Sequence, residues 1–194
     1  MKNMKNNKFF KSTIICTIAA MTLILSCKKD ENPVPTPQPP VNEGELITTI
    51  KISFVDTANF ANKVTAVFSD IDGPGGNNPV IDTIRLQPNK TYLAEILLLD
   101  QSKNPIDTIS NEIIEEANDH QFFFTQTNTG ITVNYADLDS NNPPLPLGIS
   151  TIWTTTGAFI GKTRITLKHQ PGIKNNSITQ GDTDIEVDFP VRVK

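Results

Sequence analysis

His120 and His169 are the only histidines in the 194 residues, and imidazole is the side chain best suited to both proton transfer and metal ligation near neutral pH. His120 follows Glu115, Glu116 and Asp119, while His169 sits in "LKHQPG" at the expected end of a strand; both are followed by glutamine. If the two strands pair, His120 and His169 with Glu116 or Asp119 would supply two nitrogens and a carboxylate oxygen, a three-ligand set for zinc or copper. The plainer reading is two surface histidines at strand ends.

A second set of oxygen donors lies in two acidic turns. Asp70 and Asp72 precede Gly73, and Asp137, Asp139 and Asn141 alternate in "DLDSN", a spacing that resembles calcium loops, where oxygens at alternate positions converge on one hard cation. The second turn departs from that pattern: Asn142 stands in place of the turn glycine and Gly148 in place of the bidentate glutamate. Strand-connecting turns also favour Asp, Asn and Gly for local hydrogen bonding alone. Divalent metal is thus the cofactor class these residues suggest. Catalytic patterns are missing. The sequence contains no GxSxG elbow, and the glycines of "DGPGGNN" open no helix as a phosphate loop must. Adjacent carboxylates such as Glu115 and Glu116 would point apart on a strand. We expect no enzyme.

The chain that carries these residues begins with an address. Lys2, Lys5, Lys8 and Lys11 precede an apolar run, Ile14 to Leu25, with no acid before Asp30. Twelve helical residues span about 18 Å, short of a ~30 Å hydrocarbon core, so residues 1–26 read as a secretory signal peptide. Of the two cysteines, Cys16 lies inside that run and Cys27 closes it; no internal disulfide is available after cleavage. "ILSC" resembles the bacterial lipobox, with Ile24 where leucine is commoner, which makes Cys27 the lipidation point. Acyl chains contribute about 0.8 kcal/mol per buried methylene, so two or three of them anchor firmly. "CKKDE" is similar to the lysine-plus-acid signal that sends lipoproteins to the cell surface in Bacteroidetes. Prolines 33, 35, 37, 39 and 40 then stiffen a tether, residues 27–44, in extended polyproline geometry.

The remainder, 45–194, is acidic. Removing the four leader lysines shifts the whole-chain charge of −4 to about −8, which repels phosphate backbones and excludes nucleic acid as a partner. Its periodicity is two. Ile50, Ile52 and Phe54 alternate with polar residues, as do Val64, Ala66 and Phe68, then Ile165 and Leu167, then Ile185, Val187, Phe189, Val191 and Val193. Only Ser110 to Asn118 suggests a helix, so a parallel sheet with crossover helices is excluded. "VTAVFSDIDG" (64–73) and "ITVNYADLDS" (131–140) align without a gap, which predicts two pseudo-repeats, about 45–117 and 118–194, of about five strands each. Seventy residues form a marginal core alone. The expected fold is therefore all-β: an Ig-like antiparallel β-sandwich, as two modules in contact or two sheets of one sandwich, without the Cys…Trp…Cys hallmark.

Over the mature chain, "EEANDHQFFF", "VNYADLDSNNPPLPLG" and "GDTDIEVDFPVRV" resemble a family of small Bacteroidetes outer-membrane lipoproteins. Its members often carry the label "type 1 periplasmic binding fold" and are commonly found beside TonB-dependent receptors. The label does not suit the fold, because two Rossmann-like lobes need many helices and far more residues. The resemblance implies an outer-membrane, surface-exposed accessory or binding protein that partners such a receptor in nutrient uptake, and transfers no catalytic residue. Two other readings stand beside it: a surface lipoprotein that binds zinc, copper or calcium, and an adhesin-like structural spacer.

Overall fold

The computed structural model describes residues 46–194; the leader, Cys27 and the proline tether lie outside that range. The described chain runs β1 (Thr49–Asp56), β2 (Asn59–Ser69), β3 (Val80–Ile81), β4 (Ile84–Leu86), β5 (Thr91–Leu99), α1 (Ile109–Glu115), β6 (His120–Thr127), β7 (Ile131–Tyr135), β8 (Ser150–Thr155), β9 (Phe159–His169) and β10 (Asp182–Val193). The strands form a six-stranded sheet, β3-β2-β1-β5-β8-β7, and a four-stranded sheet, β4-β10-β9-β6. This is the all-β sandwich that the alternation predicts, with one helix near its middle.

Alternation decides which rows go inside. Ile50, Ile52 and Phe54 of β1 and Tyr92, Ala94, Ile96 and Leu98 of β5 are buried on the larger sheet. Phe122, Ile165, Leu167, Val187, Phe189 and Val191 answer them from the smaller one. Trp153 bridges the layers: its ring meets Phe54 edge-on at 5.1 Å and Phe124 at 5.9 Å, the offset geometry that aromatic quadrupoles prefer. Its indole N–H, fully buried, donates to Thr151 Oγ1 at 2.8 Å. Ile109 and Ile113 bury one face of α1, and the Leu98 N–H donates to Ser110 Oγ at 2.6 Å. That bond ties the helix, and the turn after it, to β5.

Two details go beyond the sequence reading. The first half of the chain sends β4 into the smaller sheet, whereas β7 and β8 of the second half extend the larger one, so strands from both halves build both layers. The sandwich is also not purely antiparallel, since β4 runs parallel to β10 through the register Ile84↔Val191 to Leu86↔Val193. Alternation is blind to strand direction; β4 follows the crossing between layers over Asp82 and Thr83. Both segments of the internal similarity are strands, β2 and β7, that run into acidic turns.

Because Phe54 has no exposed surface and contacts two further rings, Phe54→Ala is expected to cost about 3–5 kcal/mol. Urea unfolding followed by the fluorescence of Trp153 measures it.

Candidate metal centre

His120 opens β6 and His169 closes β9, and the antiparallel register places them directly opposite each other. They continue the core-facing rows of Phe122 and Leu167, so both rings extend from the hydrophobic interior at one end of the sandwich. The imidazoles stack, with centroids 4.5 Å apart and planes 12° from parallel. Glu116 arrives from the other direction. It terminates α1, with its N–H bonded to the Glu112 carbonyl at 2.8 Å, and a tight turn returns the chain to His120, closed by Asp119 N–H to Glu116 O at 2.9 Å.

One donor atom from each of Glu116, His120 and His169 lies within 4.8 Å of the others. Glu116 Oε2 is 3.8 Å from His120 Nδ1, and the same Nδ1 is 3.2 Å from the Glu116 backbone carbonyl. On the far side of the ring, His120 Nε2 is 3.8 Å from Asp184 Oδ2. His120 is only 3 % exposed. Burial pushes its pKa down to about 4, and the neighbouring His169 and Lys174 act in the same direction against the Glu116 carbonyl and Asp119. A buried ring held neutral keeps a lone pair for a metal at pH values where a surface histidine would carry a proton.

Asp119 does not join this group. Its Oδ1 accepts the Gly172 N–H at 3.1 Å, and its carbonyl accepts the Gln170 N–H at 2.6 Å. It holds the loop after β9 in place and so fixes His169. The acidic turns are engaged as well. Asp137 accepts the N–H groups of Gly148 and Ser150 at 2.7 and 2.8 Å. Asp139 accepts from Leu145 N–H and Asn141 N–H, and pairs with Lys174 Nζ at 2.7 Å, the two side chains being 0 % and 2 % exposed. A lysine ammonium therefore supplies the positive charge that a calcium ion would bring. Burial opposes ionisation of Asp139, but these donors hold its carboxyl below the usual range. In the first turn Asp72 accepts both the main-chain and side-chain N–H groups of Asn77, and the Asp70 carbonyl accepts the Gly73 N–H. Asp72, Asp137, Asp139 and Asn141 act through their side chains as local hydrogen-bonding groups, whereas Asp70 bonds through its main chain and its buried Oδ1 accepts no hydrogen bond. The Asp139–Lys174 pair was not foreseen from sequence, because Lys174 lies 35 positions away in a loop without periodicity.

Two outcomes follow. Asp139→Ala leaves the Lys174 ammonium buried without its counter-charge and is expected to cost about 3–5 kcal/mol in chemical denaturation. For His120 the folded pKa lies below the ordinary 6.5, so stability is complete above pH 6.5. It falls as pH drops toward 4, where the unfolded chain takes up a proton that the folded ring refuses, for a loss of about 3 kcal/mol. Denaturant midpoints between pH 7 and 4 check this, and His120→Gln removes the portion lost between pH 6.5 and 5.

A comparison with protein-family models, with curated proteins and with solved structures finds no match to this chain.

Proposed function

We propose that this protein is a lipid-anchored outer-membrane lipoprotein that captures a divalent transition metal through Glu116, His120 and His169. The observation that carries the metal reading is the direct cross-strand stacking of the only two histidines, with a glutamate beside them. Two imidazoles and one carboxylate form a borderline-soft set that suits zinc or copper and disfavours calcium, which takes oxygen donors. Donor atoms around tetrahedral zinc sit about 3.3 Å apart, given Zn–N distances of about 2.0–2.1 Å. A group that spans up to 4.8 Å would have to close by up to about 1.5 Å to reach that spacing.

The address rests on the leader, on the lipobox-like "ILSC" ending at Cys27, and on the charged "CKKDE" that follows. The proline-rich stretch 27–44 would link the sandwich to that anchor. An ion captured there is available to a TonB-dependent receptor, the partner implied by the family resemblance. A purely structural spacer would need no such convergence of ligands.

Isothermal titration of the detergent-solubilised full chain with zinc and with copper(II) tests the binding. One ion per chain is expected, with His169→Ala and Glu116→Gln each weakening affinity at least tenfold. Absence of heat, or binding unchanged by His169→Ala, overturns the metal reading.

A further inference from the structure

The ring of His120 has an acceptor oxygen near each of its nitrogens, and the two compete for its single proton. The Glu116 carbonyl, 3.2 Å from Nδ1, can only accept a hydrogen bond. In the metal-free protein, therefore, the ring carries its proton on Nδ1. Nε2 then presents a lone pair toward Asp184 Oδ2, 3.8 Å away, so an acceptor faces an acceptor. The Glu116 carboxylate lies on the Nδ1 side. A metal held between Glu116 and His120 needs the Nδ1 lone pair, and the ring's single proton must then sit on Nε2.

Asp184 Oδ2, 3.8 Å from Nε2, is the acceptor on that side, and it would receive the proton in a hydrogen bond once the two approach to about 3.2 Å. Its position comes from a register break: Thr183 pairs with Lys168 and Ile185 with Leu167, so Asp184 is an extra residue in β10. A bulge of this kind re-aims a side chain that regular alternation would send to the other face. Here the result is a carboxylate side chain only 8 % exposed beside the histidine. We propose that Asp184 is a positioning residue for the metal site, which stabilises the Nε2-protonated tautomer that His120 adopts when a metal displaces the Nδ1 proton from the Glu116 carbonyl. This rests on the metal-capture reading above. Carboxylates that accept the distal N–H of a ligating histidine orient the ring and raise its basicity, and removing one typically weakens metal affinity 10–100-fold.

The experiment uses the full chain labelled with 15N-histidine, with zinc as the probe. Long-range 1H–15N correlation spectra are expected to show His120 protonated on Nδ1 without metal and on Nε2 with one equivalent of zinc. Titration of Asp184→Asn is expected to show zinc affinity 10–100-fold weaker than wild type. A zinc-bound His120 that stays protonated on Nδ1 overturns the proposal, and this readout on the wild-type chain does not depend on how the variant folds. Variant affinity within threefold of wild type also overturns it while leaving metal capture intact. Failure of the wild-type chain to bind zinc removes both.

Discussion

The pairing of β6 with β9 is the constraint on which the rest depends. Its register puts Phe122 opposite Leu167 and Phe124 opposite Ile165, which fills the smaller sheet's side of the core, and the same register puts His120 opposite His169. Side-chain direction in a strand has a period of two, so a slip of β6 by one residue would turn Phe122 and Phe124 outward while β9 stays in register with β10. Burial of the apolar rows therefore enforces the histidine pair. The site needs no scaffold of its own, because it occupies the last rung of a ladder that hydrophobic burial already specifies.

The contacts that flank this rung are backbone contacts. Gln170 N–H reaches the Asp119 carbonyl, and Lys174 Nζ donates to the Ala117 carbonyl at 2.8 Å. Carbonyls at the end of a helix lack partners within it, and here the loop after β9 answers those just past α1. Gly181, with φ of +69°, passes so close to the His169 carbonyl that a Cβ would collide with it. The loop 170–181 is thus folded back over the rung from both of its ends. What lies beneath it is dry enough to depress a histidine's basicity yet contains several acidic oxygens.

Much of this was legible in the sequence. The strands around Phe54, Phe68, Leu167 and Phe189 follow from alternation, because each has one face in the core, and the short helix follows from the one stretch without period-two character. The histidines and Glu116 were recognisable as ligand types. Their meeting was not, since β7 and β8 intervene between β6 and β9 and join the other sheet, and chain order says nothing about that. Asp184 was hidden for a different reason. Counting outward and inward positions back from Val187 assigns it to the outer face, and only the register break reverses the assignment. The acidic turns left two readings open because a cation ligand set and a set of backbone-capping carboxylates use the same residues. Which one applies depends on where a distant lysine comes to rest.

Two stretches at the margins of the sheets have their main-chain groups taken by the protein's own side chains and loops. On β6, the Phe122 N–H donates to the Leu147 carbonyl at 2.7 Å and the Tyr135 hydroxyl donates to the Phe122 carbonyl at 2.8 Å. On β2, Asp82 takes the Val67 N–H on its carboxylate and returns its own N–H to the Val67 carbonyl, so β3 ends after two residues. Unsatisfied strand margins template intermolecular pairing, and crowding in two dimensions multiplies such encounters. Where its own loops occupy a strand margin, as at Phe122 and Val67, the chain is less open to fusing its sheets with those of a neighbour.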